Sequence, residues 1–138
     1  MNDGLTIFPL VVRWTSDDTV TQQVVEDRER AIVRFDQIHR HAATRPTMVE
    51  YSNARGLAFA IGAGRTETVL TYQSSDDPPY FTSRGIARPP IREIAFAYAR
   101  EETPYPGFSA VSIGDGIRAL EYFLDCGERS SAIDWERL

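Results

Sequence analysis

The segment MVEYSNARGLAFAIGAGRTETVLTY (residues 48–72) decides the fold, because it contains three strand-like runs separated by short connections. The runs at 48–52, 57–61 and 67–72 are rich in β-branched and aromatic residues. The two connections contain glycine and have the length of hairpin turns. Neither connection is long enough for a helical crossover, so the segment predicts an antiparallel meander.

Further strands are predicted on either side of this segment. Residues 7–14, rich in Val, Leu and Ile, form a first strand. Residues 19–25 form its hairpin partner, and a helix beginning at Thr21 is the competing interpretation. Residues 94–98 add a later strand, and the tail 130–138 adds a last short one.

Two helices complete the pattern. The first runs from Asp27 to Ala42, where apolar residues recur at spacings of four, three and four. The second has Ser112 as its N-cap and Gly127 at the left-handed position after its last turn. Together these elements predict an α+β fold, a mainly antiparallel sheet of four to six strands with two helices packed on it. With no repeat or linker, residues 1–138 are predicted to form a single domain.

Composition and charge exclude several classes of function. Fifteen basic residues, all Arg, face 20 acidic ones, and the net charge of −5 argues against direct nucleic-acid binding. The same charge favours a basic protein partner, although mild acidity also serves solubility alone. No apolar run approaches the roughly 18 residues of a membrane helix, and residues 1–4 show no basic region ahead of an apolar stretch, so we expect no secretory signal, no membrane association and a cytoplasmic location.

The reactive side chains do not form a catalytic or metal-binding pattern. His39 and His41 point about 200° apart on a helix, so they do not share a metal, and both are predicted to lie on the surface. Cys126 is the single cysteine, which excludes an internal disulfide. It falls at a helix C-terminus, where the dipole disfavours a thiolate, and is predicted to be a small structural apolar residue. We therefore expect no catalytic residue, no metal and no cofactor.

Two predicted loops offer material for a protein interface, the polar loop after the third run and a second loop at 101–108. They place large rings beside Pro and Gly, flanked by acids, and Tyr is a usual anchor of protein interfaces. In the competing interpretation the rings fold back onto the core. The candidate partner-binding residues are Asp76, Asp77, Tyr80, Glu101, Glu102, Tyr105 and Phe108.

The middle and the end of the chain follow the motifs of a known family. A strand ending in Gly-x-Gly, a Ser/Thr-Val-Leu strand and a Tyr-x-Ser-x-Gly segment correspond to LAFAIGAG (57–64), TVLTY (68–72) and PYFTSRG (79–85), although Thr82 and Ser83 shift the serine of the last motif. The family's closing pattern is similar to ALEYFL (119–124), GER (127–129) and Trp135, with Ser130 where the family often has Pro. On these motifs the chain resembles the first-numbered family of immunity proteins of bacterial polymorphic toxin systems.

The resemblance implies a small cytosolic antidote that binds a cognate toxin and blocks its active site or substrate groove. Toxins of such systems include nucleic-acid deaminases and nucleases, whose substrate clefts tend to be basic. An alternative is a small-molecule-binding or regulatory α+β domain, with an apolar pocket lined by Phe59, Tyr72, Phe96 and Phe123. A third interpretation is an enzyme in which the fold brings Cys126 close to His39 or His41. The oligomeric state stays open.

Overall fold

The computed structural model describes residues 6–85 and 92–138, and it confirms the α+β class. The helices of the described residues are α1 (Arg28–His41) and α2 (Ile113–Cys126). The strands are β1 (Leu10–Ser16), β2 (Thr19–Val25), β3 (Thr47–Ser52), β4 (Ala58–Ala63), β5 (Glu67–Thr68), β6 (Leu70–Gln73), β7 (Tyr80–Arg84), β8 (Glu93–Tyr98), β9 (Glu101–Pro106), β10 (Val111–Ser112) and β11 (Asp134–Arg137).

Nine of these strands form one sheet, with the order β11-β7-β6-β4-β3-β1-β2 and the hairpin β8–β9 attached at β3. The two short strands β5 and β10 pair separately. The pairings are antiparallel, as predicted, except for one parallel bridge between Thr47 of β3 and Ala97 of β8. The predicted hairpin β1–β2 is confirmed, with Leu10 opposite Val25 and Ser16 opposite Thr19.

The turn between β3 and β4 shows how local sequence sets this register. The Asn53 side-chain oxygen accepts the backbone N–H groups of Arg55 at 3.0 Å and Leu57 at 3.3 Å. Such a side chain replaces backbone partners inside a turn. Gly56 takes a φ of +86°, a conformation that side chains with a Cβ rarely adopt. The predicted meander from β3 through β4 to β6 follows from turns of this kind.

Helix α2 begins after its predicted cap, Ser112, and α1 begins after Asp27, which acts as its cap. The Asp27 carboxylate accepts the Arg30 N–H at 2.9 Å, and the Ser112 hydroxyl accepts the Asp115 N–H at 3.1 Å. Each bond satisfies a donor that the first turn of a helix leaves free. Helix α2 ends at Gly127, whose φ of +77° is left-handed, as predicted.

The two helices cover one face of the sheet and form the main core with it. Helix α1 contributes Phe35 and α2 contributes Phe123, whose ring stacks on Phe59 of β4 at 5.0 Å between centroids. Full burial of such a ring contributes about 1.5–3 kcal/mol. The hydroxyls of two buried tyrosines find backbone acceptors: Tyr51 donates to the Ala31 carbonyl and Tyr72 to the Gly127 carbonyl, both at 2.9 Å.

A smaller apolar cluster lies on the opposite face, which we call the open face because the helices do not cover it. The β8–β9 hairpin folds over part of this face and buries Phe96 against Met48, Ala60 and Val69. This packing needs a glycine at position 62, since a Cβ there would lie 2.5 Å from two atoms of the Phe96 ring. The central strands β3 and β4 are therefore buried on both faces.

Two predictions about the sheet were wrong. The sheet has nine strands among the described residues rather than four to six, because several strands are short and irregular in sequence. The segment 101–108 is not a loop: residues 101–106 form strand β9, and a 3-10 turn (Gly107–Ser109) follows. Pro104 and Pro106 are compatible with this strand, since β9 is an edge strand with one described partner.

Three further predictions concern single elements. The competing interpretation of a helix from Thr21 is wrong, because 19–25 is strand β2. The predicted strand in the tail is confirmed as β11. Cys126 is exposed rather than buried, so its interpretation as a small structural apolar residue is wrong.

The contact between Gly62 and Phe96 yields a prediction about stability. We expect Gly62→Ala to lower the free energy of unfolding by about 1–3 kcal/mol, because the ring or the strand must move to admit the methyl group. Urea denaturation measures the change. Gly114→Ala is the matched control: the nearest atom to a Cβ there is an Arg118 side-chain nitrogen at 3.8 Å, and alanine favours a helix, so no loss is expected. Equal stability of the two variants would contradict the prediction.

Candidate functional site

A cleft of about 150 Å³ opens on the open face between the β8–β9 hairpin and strand β7. Tyr98 and Tyr105 of the hairpin line one side, and Tyr80 and Leu138 line the other. We call it the tyrosine cleft. Small and polar side chains form much of the remaining lining: Glu50, Ala58, Ala60, Thr71, Gln73 and Thr82, with Met48, Tyr72 and Phe81 as larger contributors.

The alternation of side chains along the strands explains this lining. On β3, Val49 and Tyr51 point into the main core, so Glu50 between them faces the cleft. On β4, Ala58 and Ala60 alternate with the core residue Phe59 in the same way. Because these two residues are alanines, the floor of the cleft leaves room for a side chain from outside.

Glu50 is the charged centre of the cleft wall. One carboxylate oxygen pairs with the Arg13 guanidinium at 3.1 Å, and the other accepts the Tyr98 hydroxyl at 3.1 Å. Arg13 also donates to the Gln22 side chain, at 3.2 and 3.3 Å. These bonds form a polar row that crosses the open face from β2 through β1 and β3 to β8.

Both tyrosines of the β8–β9 hairpin have raised pKa values. Partial burial and the Glu50 carboxylate raise the pKa of Tyr98 to about 12. Burial, and then the charge of Glu50, raises the pKa of Tyr105 as well. The Tyr105 hydroxyl can donate a hydrogen bond to a partner, whereas the Tyr98 hydroxyl already donates to Glu50 and can only accept one.

Of the candidate partner-binding residues, the structure brings Tyr80 and Tyr105 together on the two sides of the tyrosine cleft. Both rings are half-buried, so each keeps a surface that a partner can reach. The Tyr80 hydroxyl donates to the Asp76 carbonyl, which ties the ring to the β6–β7 loop. The Tyr105 ring lies 6.5 Å from the buried Phe96 ring, which fixes its position.

The acidic candidates lie on separate exposed segments rather than in the cleft. Asp76 and Asp77 occupy the β6–β7 loop, where the Ser75 hydroxyl accepts the Asp77 N–H at 3.2 Å. Glu101 and Glu102 begin β9, at the turn of the hairpin, and both are exposed.

Phe108 is half-buried in the 3-10 turn, with the Arg84 guanidinium 4.8 Å from its ring centre. A cation over an aromatic face is an attractive contact, so part of the ring serves the fold itself. Phe108 is not among the residues that line the tyrosine cleft.

Sequence reasoning missed three residues of the cleft. Glu50 and Tyr98 lie 48 positions apart, and no local pattern predicts that their side chains meet. Leu138 reaches the cleft because its N–H bonds to the Tyr80 carbonyl at 2.8 Å. The alternation of the predicted strand 48–52 was the one available signal, since it places Glu50 opposite to the core residues Val49 and Tyr51.

The predicted ligand pocket does not form. Phe59 and Phe123 stack inside the main core, whereas Phe96 lies on the opposite face of the sheet. Tyr72 packs edge-on against Phe123, with 6.2 Å between the ring centres. Four rings on two faces of a sheet cannot line one cavity, so this interpretation is wrong.

The two histidines and the cysteine make hydrogen bonds outside the tyrosine cleft. The His39 ring accepts the Gly64 N–H at Nδ1 and stacks near Phe35, so it is half-buried rather than a surface residue as predicted. His41 is exposed and its Nδ1 bonds to the Gln37 carbonyl. The Cys126 thiol donates to the Tyr122 carbonyl at 3.3 Å. Neither imidazole is joined to the thiol by these bonds.

Among residues 6–85 and 92–138, no group of three or more His, Cys, Asp or Glu residues is arranged to hold a metal ion. In the same part of the chain, no helix has the length and apolar character needed to cross a membrane.

Comparison with known proteins assigns the chain to a class and then to a family. No curated protein matches it in sequence. A family model described as Immunity protein Imm1 matches residues 16–137, which is most of the chain. The class is therefore that of immunity proteins, which bind a cognate toxin protein, and it indicates a non-enzymatic inhibitor. The chain belongs to the Imm1 family, as its motifs had predicted.

The contact between Glu50 and Tyr98 yields a prediction about proton release. We expect Glu50→Gln to lower the pKa of Tyr98 from about 12, while keeping it above 10 because burial is the larger cause. Carbon NMR of the tyrosine Cζ atoms against pH measures the shift. Tyr72 is the internal control, because its pKa of about 12 comes from burial and then from Glu128. A pKa of Tyr98 that does not change would contradict the assigned role of Glu50.

Proposed function

We propose that this immunity protein neutralises its toxin by covering the toxin's active site or substrate groove, with the tyrosine cleft at the centre of the contact. Residues 1–138 act in this proposal as one domain. The observation that carries the proposal is that Tyr80 and Tyr105, both half-buried, face one cleft on a part of the sheet that the helices do not cover. Tyrosines held by a rigid scaffold lose little conformational entropy on binding, which makes them effective anchors.

The size of the tyrosine cleft favours a protein partner over a metabolite. Its volume of about 150 Å³ lies below the roughly 300–1,000 Å³ of typical small-molecule pockets. A cleft of this size suits one inserted side chain. The tyrosine hydroxyl oxygens can still accept hydrogen bonds, and Glu50 adds negative charge, so the cleft favours an inserted side chain that carries donors, such as a basic one.

The acidic segments near the hairpin turn and in the β6–β7 loop give this surface its proposed electrostatic role. Asp76, Asp77, Glu101 and Glu102 are exposed, and the whole chain carries a net charge of −5. A toxin that acts on nucleic acid, a deaminase or a nuclease, needs a basic groove to hold its substrate. Acidic loops facing such a groove accelerate the encounter and add selectivity more than they add affinity.

The first test measures affinity for the toxin encoded beside the gene. We expect Tyr80→Ala and Tyr105→Ala each to raise Kd at least about 30-fold, the effect of losing an interface anchor worth about 2 kcal/mol. Tyr122→Ala is the matched control, because Tyr122 is 45% exposed on α2, on the helix-covered side. Isothermal calorimetry gives Kd, urea denaturation confirms that each variant folds, and growth of toxin-expressing cells reports protection. Unchanged Kd in both cleft variants would place the interface elsewhere.

The second test concerns the rate of association. We expect the double reversals Asp76→Arg/Asp77→Arg and Glu101→Arg/Glu102→Arg to slow association about tenfold at low salt and to flatten its salt dependence. Stopped-flow fluorescence at several ionic strengths measures both effects. The matched control is Glu29→Arg/Glu128→Arg, which changes the net charge equally at exposed positions of the helical layer. If the control slows association as much, the effect comes from net charge and not from these segments.

A further inference from the structure

The sheet has one edge that lacks the usual protection against strand addition. Edge strands are normally kept from pairing with other chains by charges, by proline or by short length. Strand β11 has four residues, three of them charged, and β9 carries Glu101, Glu102, Pro104 and Pro106. Strand β2 (TVTQQVV) has seven residues with no charge and no proline, and among the described residues it pairs with β1 alone.

The free side of β2 is accessible. Four of its seven residues are exposed, and Val24 is among the most exposed large apolar residues of the described chain, at 54%. An apolar depression of about 340 Å³ adjoins Val24, with Phe8 and Val11 in its lining. The depression lies on the β1 side of Val24, and a strand added along the free side of β2 would place a side chain next to Val24 from the other side.

Two acidic residues precede the uncharged strand β2, and two acidic residues follow it. Asp17 and Asp18 precede it, and Glu26 and Asp27 follow it. Asp18 pairs with Arg45, and Asp27 caps α1 and pairs with Arg30 at 3.4 Å. Asp17 and Glu26 are exposed and have no ion-pair partner within the described ranges. The edge therefore presents unneutralised negative charge at each end.

This charge pattern disfavours a second copy of the chain as the occupant. An antiparallel pair of β2 strands centred on Gln22 would set Asp18 of one copy opposite Glu26 of the other, and Asp17 opposite Asp27. Like charges directly opposite each other destabilise paired strands. A partner strand with basic residues at its ends would meet opposite charges at the same positions.

We infer that β2 receives an extended strand of a partner protein, with uncharged β-branched residues at its centre and basic residues at both ends. The backbone of that strand pairs with the free N–H and C=O groups of β2, and its basic ends face Asp17 and Glu26. Strand addition of this kind takes its affinity from backbone hydrogen bonds and its selectivity from side chains. The inference does not depend on the tyrosine cleft being the toxin surface.

The test uses the full chain and a blocked synthetic peptide, Lys-Arg-Thr-Val-Thr-Val-Thr-Val-Thr-Arg-Lys, whose seven central residues match the length of β2. We expect its binding to shift and protect backbone amides of residues 19–25 in amide NMR and hydrogen exchange. A peptide N-methylated at the seven central residues keeps its charges but cannot donate backbone hydrogen bonds, and it should not bind. Equal binding of the methylated peptide, or shifts that fall outside β2 and its flanking residues, would overturn the inference.

The charge requirement is tested separately. Asp17→Asn/Glu26→Gln should weaken binding of the basic-ended peptide about fivefold at low salt, as two exposed ion pairs would. Asparagine tolerates the positive φ of 54° at position 17, so the turn is retained. The control Glu121→Gln/Glu128→Gln makes the same charge change within α2 and just after its end, and it should leave Kd unchanged. A dimer of the protein alone that is disrupted by Gln23→Lys in sedimentation would identify a second copy as the occupant and overturn the inference.

Discussion

The two-sided burial of strands β3 and β4 is the constraint on which the rest of the structure depends. A strand between a helical layer and a second covering element must carry two apolar rows, one for each face. Val49 and Tyr51 face the helices, while Met48 faces the hairpin. On β4 the second row contains Ala60 and Gly62, and the missing side chain at position 62 is what lets Phe96 approach. The hairpin position, and with it the tyrosine cleft, follows from this close contact.

The helices and most strands were predictable because their determinants are local. Asp27 and Ser112 bond to the first turn of their own helices, and Gly127 needs its left-handed conformation whatever lies nearby. Strand β9 was not predictable in this way, because its two prolines indicate a loop unless the segment is known to lie at an edge. Its assignment depends on β8 and on the packing of Phe96, which are tertiary facts.

Only part of the candidate site was predictable, because some of its residues stand out in the local sequence and others meet only through the fold. Composition pointed to Tyr80 and Tyr105, since rings beside Pro and Gly stand out in the sequence, and the structure places both on one cleft. The Glu50 carboxylate between Arg13 and Tyr98 joins residues from three strands. A buried or half-buried carboxylate with two partners is already satisfied, so Glu50 positions Tyr98 rather than acting as a free acid. The arrangement suits binding, and it agrees with an immunity protein.

The open face and the β2 edge are joined by the row from Gln22 through Arg13 and Glu50 to Tyr98. A partner that contacts both would therefore meet one continuous, ordered surface. The uncharged centre of β2 is open to any strand, so discrimination between partners must come from its ends. Repulsion between acidic ends acts against a second copy of the chain, whereas the same ends attract a basic strand. In the inferred pairing, the charges that a protected edge would carry along its length lie at its ends instead, where they disfavour pairing of two β2 strands and attract a basic one.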